Sequence, residues 1–264
     1  TIFLYEKSNR DNTQIKKMIS AGNLWLTFRV LLFEYLSLLV TLILWPFGFI
    51  NLSESTDNGE KQTPVLFLHG LFLNKSCWTV MKLRLKILGV SNLHTMNLPA
   101  TRDVETLTEK VALKVDSLRL AYKCEKVHLV GHSMGGVIAR NYVQIRGGDD
   151  KVEQCIIIGA PNHGSKLSPF AVMKLSEALM PGSEFLANLN SKAIPKKVAL
   201  TNIYSPHDNM VIPHVSAVLD KATNIELTGK GHNALLYDNT TFKHVLSILK
   251  TSHADDTDKE PQTG

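Results

Sequence analysis

The sequence predicts an α/β fold in which a mostly parallel sheet of about six strands has helices on both faces. Six short apolar runs recur along the chain, at residues 65–68, 92–98, 126–131, 152–159, 197–204 and 224–229. Segments with helical spacing of apolar residues lie between most of them and after the last, at 78–88, 104–122, 136–146, 168–180 and 241–250. Runs that are continuously apolar, rather than alternating, are typical of parallel strands that are buried on both sides.

Composition and charge narrow the class of protein. The 264 residues are 44% hydrophobic and 20% charged, which is typical of a globular domain with one sizeable core. The formal net charge of +5 is compatible with an anionic membrane surface, but no dense lysine block indicates a nucleic-acid groove. Cys77, Cys124 and Cys155 show no metal-ligand spacing, and we expect no metal and no cofactor.

Composition changes along the chain predict five regions. Residues 1–29 are polar and basic, and residues 30–50 are apolar with Glu34 as the single charge. A polar linker is expected at 51–63, a globular α/β domain at 64–250, and a disordered acidic tail at 251–264.

The apolar segment at residues 30–50 predicts a membrane-spanning helix, since about 20 apolar residues cross a hydrocarbon core of about 30 Å. Glu34 lies near one end of it and Trp45 near the other, where each is tolerated best. Positive charge precedes the segment and acidic residues follow, so the positive-inside rule predicts a cytoplasmic N-terminus and an exported, periplasmic or extracellular, globular domain. A buried helix, or one that lies along the membrane surface, remains the alternative.

The stretch "KVHLVGHSMGGVIARNYV" at 126–143 predicts a strand, a tight turn and a helix, with Ser133 at the turn. Its core, Gly131-His132-Ser133-Met134-Gly135, has the form G-x-S-x-G. A serine at such a turn takes a strained backbone conformation, and a Cβ atom two residues before or after it would collide with neighbouring elements. We therefore predict Ser133 as a nucleophile raised above the carboxyl edge of the sheet.

A serine hydroxyl needs a base, and on folds of this type the acid and the histidine follow the serine in the chain. Asp208 comes just after the fifth apolar run, and His232 just after the sixth. We predict that His232 takes the Ser133 proton and that Asp208 orients the imidazole. The weaker candidates lie too close together, too early, or in a helix, a strand or the tail: His207, His214, His244, His253, Asp220 and Glu226.

An oxyanion hole is predicted from the backbone N–H groups of Leu71 and Met134. Met134 directly follows the nucleophile, and Leu71 follows Gly70, which lets the loop after the first strand turn toward the site. His69 and His132 are interpreted as structural or orienting residues.

Taken together, "FLHGLF", "LVGHSMGG", "IIIGAPNHGS", "IYSPHDNMVIP" and "GKGHNALLYD" resemble, in this order, the α/β-hydrolase lipases of the small bacterial triacylglycerol-lipase type. The resemblance covers roughly residues 62 to 250. It implies the fold, a Ser133–Asp208–His232 triad and hydrolysis of lipid esters without a cofactor.

Two features depart from that family. An insertion with amphipathic spacing at 165–190 is either a small cap that lines an acyl pocket or two helices packed on the body. The apolar N-terminal segment is absent from secreted members.

We therefore predict a membrane-associated lipase or esterase in which Phe72 and Leu73 contact an acyl chain. Two alternatives stay open: a membrane acyltransferase or lipid-anchor deacylase with the same triad, and a binding protein that kept the fold without catalysis.

Overall fold

The computed structural model describes residues 2–9, 23–50, 62–171 and 174–257. Within them a six-stranded sheet has the order β2-β1-β3-β4-β5-β6, and all neighbouring strands are parallel. The predicted fold class is confirmed, and each strand lies within or next to one of the apolar runs. The strands are β1 Val65–Leu68, β2 Leu93–Met96, β3 Val127–His132, β4 Val152–Ile158, β5 Ala199–Tyr204 and β6 Thr223–Glu226.

Nine α-helices are described in these ranges, and short 3-10 turns join several of them. The helix α4 has the predicted bounds, while α5 begins two residues earlier than predicted, directly after Ser133. The helices are α1 Ile2–Ser8, α2 Leu24–Leu44, α3 Thr79–Ile87, α4 Val104–Tyr122, α5 Met134–Gln144, α6 Lys174–Ala178, α7 Glu184–Ser191, α8 Ala234–Tyr237 and α9 Asn239–Thr257.

Alternate strand residues build a core on each face of the sheet. Leu66 and Leu129 join α4 and α5 on one face, whereas Phe67 and Val130 join α3, α8 and α9 on the other. All four side chains are fully buried. Because helices cover both faces, the strands need no polar side, which explains why they are continuously apolar in sequence.

The order of the strands locates the site. From β1 the chain moves outward to β2, then crosses back to β3 on the other side of β1. The loops after β1 and β3 therefore leave the carboxyl edge of the sheet in opposite directions, and such a switch point is where open α/β sheets bind ligands.

The helix α2 packs along the catalytic domain. Val30, Glu34, Ser37 and Thr41 form one buried stripe, while most other side chains of α2 are apolar and exposed. The Thr41 hydroxyl lies 2.8 Å from the Tyr237 hydroxyl in α8. The helix begins six residues before the predicted segment and ends at Leu44, where a 3-10 turn, Trp45–Phe49, continues the chain.

Contacts at the end of this apolar segment also reach the domain. The Asn74 amide donates to the Trp45 carbonyl over 2.8 Å, and the Asn97 amide donates to the Gly48 carbonyl over 3.0 Å. Leu24–Phe49 is the one stretch of the described residues that is long and apolar enough to cross a membrane, with a mean hydropathy of 2.0.

The predicted start of the tail differs from the structure. The tail was expected to be disordered from residue 251, but α9 runs to Thr257 because no glycine or proline interrupts the helix there. Residues 258–264 lie outside the described residues, as do residues 51–61 of the predicted linker and 10–22 of the basic N-terminal segment.

Candidate active site

Ser133 lies on a strained turn between β3 and α5. Its backbone has φ of 54° and ψ of −122°. Residues other than glycine rarely adopt a positive φ of this kind. A Cβ on Gly131 would lie 2.5 Å from the Gly135 carbonyl oxygen, and one on Gly135 would lie 2.3 Å from that of Leu68. The glycines two residues before and after Ser133 are therefore needed because backbone atoms occupy the space of a side chain.

The turn brings one side chain out of the core. From residue 127 to residue 143, Ser133 alone is not buried. The Ser133 N–H donates to the Ile158 carbonyl of β4 over 2.9 Å, which ties the turn to the sheet. The serine hydroxyl is thus held in a fixed position at the carboxyl edge, with access to the space above it.

Asp208 and His232 meet above the same edge. The His232 Nδ1 donates to the Asp208 Oδ2 over 2.7 Å, across 24 residues of sequence. The other Asp208 oxygen, Oδ1, accepts from the backbone N–H groups of Met210 at 2.7 Å and Val211 at 2.9 Å. Both oxygens of this fully buried carboxylate have donors, so the imidazole must carry its proton on Nδ1 and present Nε2 as an acceptor.

Two effects act on the pKa of His232 in opposite directions. Burial alone would lower it, but the charge of Asp208, the hydrogen bond to that carboxylate and the more distant charge of Glu34 outweigh burial. The pKa of His232 is therefore raised above the ordinary value for histidine, which favours an imidazole that readily accepts a proton.

Leu71 and Met134, the two residues predicted to form an oxyanion hole, both lie near Ser133: Met134 follows it directly, and Leu71 lines the same cavity. Met134 is the first residue of α5, and the N–H groups of a first helical turn have no acceptor within their own helix. Leu71 lies in a tight turn closed by a hydrogen bond of 3.3 Å from the Leu73 N–H to the Gly70 carbonyl. A Cβ on Gly70 would lie 3.0 Å from the Ser133 Cβ, so this turn runs directly beside Ser133.

The two neighbouring histidines bind backbone groups, as expected of structural residues. His69 Nε2 accepts from the Leu98 N–H over 2.8 Å, so its Nδ1 donates to the Gly70 carbonyl over 2.8 Å. Burial lowers the pKa of His69 to about 4, which keeps the ring neutral. His132 Nε2 donates to the His232 carbonyl over 3.2 Å and thereby joins the turn to the loop of His232.

A mostly apolar cavity of about 270 Å³ opens over these residues. Ser133 and His232 lie in its wall, and so do Leu71, Phe72 and Leu73. The inserted segment contributes differently along its length. Ala171 and Leu179 line the cavity, whereas Leu175, Leu186 and Leu189 are buried in the core, to which Leu179 also belongs. The inserted segment therefore packs on the body and also contributes side chains to the cavity wall.

Two residues that sequence reasoning missed also line the cavity. Asn209 accepts from the His232 N–H through Oδ1 over 3.0 Å, and Glu34 of α2 accepts from the loop that follows His232. The signal for Asn209 is its position next to the predicted acid. For Glu34 the signal is a single carboxylate in an otherwise apolar segment.

Comparison with known proteins agrees with this architecture. A model of the alpha/beta hydrolase family matches residues 65–190, which include the Ser133 turn and end before Asp208. The chain therefore has the α/β-hydrolase fold.

Three solved structures illustrate the similarity. A mature lipase of Bacillus licheniformis is 19% identical with a TM-score of 0.64, over 72% of this chain and 92% of that one. Lipase B of Aspergillus fumigatus is 17% identical with a TM-score of 0.62, over 75% of this chain and 55% of that one. A monoacylglycerol lipase of Paleococcus ferrophilus is 16% identical with a TM-score of 0.56, over 71% and 95%. At such identities the matches establish the fold alone.

Proposed function

We propose that the protein is a serine hydrolase that cleaves carboxylic esters of lipids through an acyl-enzyme. The observation that supports this most is the 2.7 Å hydrogen bond between His232 and the fully buried Asp208, in a cavity whose wall also holds the strained Ser133. The lipases that share the fold support an ester substrate.

In the first half of the reaction, the Ser133 Oγ attacks the ester carbonyl carbon while His232 Nε2 takes the hydroxyl proton. The N–H groups of Leu71 and Met134 donate to the oxyanion that forms. The tetrahedral intermediate then breaks its bond to the alcohol oxygen, and His232 returns the proton to that oxygen. The alcohol leaves, and the acyl group stays on Ser133.

In the second half, water attacks the acyl carbon and His232 takes one of its protons. Cleavage of the bond to the Ser133 Oγ releases the carboxylic acid, and the proton returns to the serine. Asp208 keeps the imidazole in the reactive tautomer in both halves and stabilises its charged form.

The cavity lining favours apolar acyl chains. Five of the side chains in its wall are apolar: Phe72, Leu73, Leu167, Leu179 and Met210. An acyl chain gains about 0.8 kcal/mol for each CH₂ that it buries, so such a lining selects lipid over short polar esters.

Membrane attachment belongs to the same proposal. The contacts of α2 with the domain, from Glu34 to Gly48, favour a helix that lies along the membrane surface over one that spans it. The predicted export of the catalytic domain requires a helix that spans the membrane. We expect the full chain to remain in the membrane fraction after a carbonate wash. Protease treatment of sealed vesicles then distinguishes the two arrangements. With a spanning helix, the part of the chain inside the vesicle is protected and the part outside is digested, whereas a helix on the surface leaves the whole chain on one side of the membrane.

A panel of esters of rising acyl length tests the enzyme, with wild type, Ser133→Ala and the control Ser191→Ala on the exposed part of α7. Removal of a serine nucleophile costs on the order of 10⁶ in kcat in a well-studied protease, and we expect a loss of that kind here. A fluorophosphonate probe should label wild type and Ser191→Ala but not Ser133→Ala. Equal hydrolysis by all three proteins would refute the proposal, and product formation only with an added alcohol acceptor would make the protein an acyltransferase.

A further inference from the structure

Glu34 is a buried carboxylate in a helix that is otherwise apolar. Only 5% of its surface is exposed. Its Oε1 accepts from the Asn233 N–H at 3.0 Å and from the Asn233 side-chain amide at 2.9 Å. Its Oε2 accepts from the Ala234 N–H at 2.9 Å. These bonds join residues that are 199 and 200 positions apart in sequence.

The groups that Glu34 binds belong to the loop of His232. Asn233 directly follows the histidine, and Ala234 begins α8, whose first N–H groups have no acceptor within the helix. A Cβ on Gly231 would lie 2.4 Å from the Glu34 Oε2. The residues on both sides of His232 are therefore fitted to this carboxylate, one by its hydrogen bonds and the other by its lack of a side chain.

The remaining contacts of the His232 backbone come from elsewhere. Asn209 accepts from its N–H, and His132 donates to its carbonyl. Of these anchors, Glu34 alone lies outside the α/β domain, and it holds the peptide groups that follow the histidine.

We propose that Glu34 is a positioning residue, which holds the loop after His232 so that the imidazole reaches Ser133. This inference rests on the proposed function, and it makes α2 a part of the catalytic centre as well as a membrane attachment. If α2 were detached from the domain, the loop would lose three hydrogen bonds and the reaction would slow.

A merely structural contact at this place would not need a carboxylate. Burial of a charge is costly unless hydrogen bonds compensate for it. A few residues further along the same stripe, Thr41 and Tyr237 join α2 to α8 through uncharged hydroxyl groups. A carboxylate differs from these because its two oxygens can accept from consecutive backbone N–H groups at once, which fixes the course of the chain there.

Three variants of the full chain, purified in detergent, test the inference on a water-soluble short-chain p-nitrophenyl ester. In Glu34→Gln the new NH₂ group faces a backbone N–H group. Two donors then meet, so one contact with the loop becomes repulsive, while the volume of the side chain hardly changes. We expect kcat to fall by about 10- to 100-fold, with little change in KM. This is the size of loss that a small displacement of a catalytic group causes. Glu34→Asp keeps both acceptor oxygens on a shorter side chain and should recover part of the rate. Thr41→Val weakens docking of α2 without touching the loop and should stay within about twofold of wild type.

A spectroscopic readout separates positioning from folding. The proton between His232 Nδ1 and Asp208 should give a downfield NMR signal, which Glu34→Gln should shift or broaden and Thr41→Val should leave unchanged. Wild-type kcat in Glu34→Gln would overturn the inference, and so would equal losses in Glu34→Gln and Thr41→Val that follow their melting temperatures. If Ser133→Ala is inactive while Glu34→Gln is fully active, the inference alone fails and the proposed function stands.

Discussion

The two halves of the candidate site are built in different ways. The turn that carries Ser133 is formed by one continuous segment, 127–143, and is held by backbone packing around Gly131 and Gly135. The loop that carries His232 is held by side chains from distant segments, among them Glu34 and Asp208. Close packing of the backbone leaves the first half one conformation, whereas the second depends on each hydrogen-bond partner being present.

This difference predicts how each half fails. A substitution in the turn should damage the fold together with the reaction, since the same atoms serve both. A substitution around the His232 loop should damage the reaction more than the fold, because a single hydrogen bond contributes only about 0.5–1.5 kcal/mol to stability.

The largest effect in the hydrogen-bonded half is expected from Asp208→Asn. The amide oxygen can keep the backbone bonds to Met210 and Val211, so that the NH₂ group faces His232 Nδ1. The imidazole must then carry its proton on Nε2, where it cannot accept one from Ser133. The equivalent change in a serine protease lowers kcat about 10⁴-fold, and we expect a similar loss with a nearly unchanged melting temperature.

Asp103→Asn is the matched control for that change. Asp103 caps α4 by accepting from the Thr106 N–H, and asparagine caps helices equally well. We expect its rate to stay within about twofold of wild type. If Asp208→Asn kept more than a tenth of the wild-type rate, another acid would have to orient His232.

The same difference explains what could be predicted from sequence. The Ser133 turn, the strands and most helices follow from local patterns, because sterics and burial act on neighbouring residues. Asp208 and His232 could be placed by their position after strands, although only the structure gives their 2.7 Å contact. The single charge of Glu34 stands out in its segment, but its hydrogen-bond partners could not be predicted, because they lie 199 or more residues away and the segment has the length and polarity of a membrane helix.

A smaller loss of activity, accompanied by a loss of stability, is expected from Gly135→Ala. The added Cβ would meet the Leu68 carbonyl oxygen at 2.3 Å, so α5 must move away from the end of β1. We expect a cost of roughly 1–3 kcal/mol in unfolding free energy and a fall of about 100-fold in kcat/KM as Ser133 moves.

Gly147→Ala serves as the control, because it has a positive φ of 75° and no atom within 4 Å of its new Cβ. It should cost only about 1 kcal/mol and leave the rate unchanged. Equal thermal and kinetic effects of the two variants would contradict this prediction, because they would show that the collision with the end of β1 has no effect of its own.

The smallest expected effect is a shift in the pH dependence of activity, which should depend on the His232 loop and not on the Ser133 turn. His232 must be neutral to accept the Ser133 proton, so activity should fall as the pH drops through its pKa. Asp208 and Glu34 face it as negative groups, and His132 lies beside it with ring centroids 4.7 Å apart. Because the pKa of His232 is raised, the acid limb of kcat/KM should lie above the ordinary histidine value of about 6.5. Burial holds the pKa of His132 well below that value, so the acid limb of kcat/KM should follow the titration of one group, His232.

In Glu34→Gln a negative charge is lost, and the acid limb should move to lower pH. The measurement is kcat/KM on the soluble ester from about pH 5 to pH 9, a range that brackets the ordinary histidine value. A limb below the ordinary value would mean that burial outweighs the carboxylates around His232. A two-proton limb would mean that His132 titrates, so that the tightly packed half of the site also responds to pH.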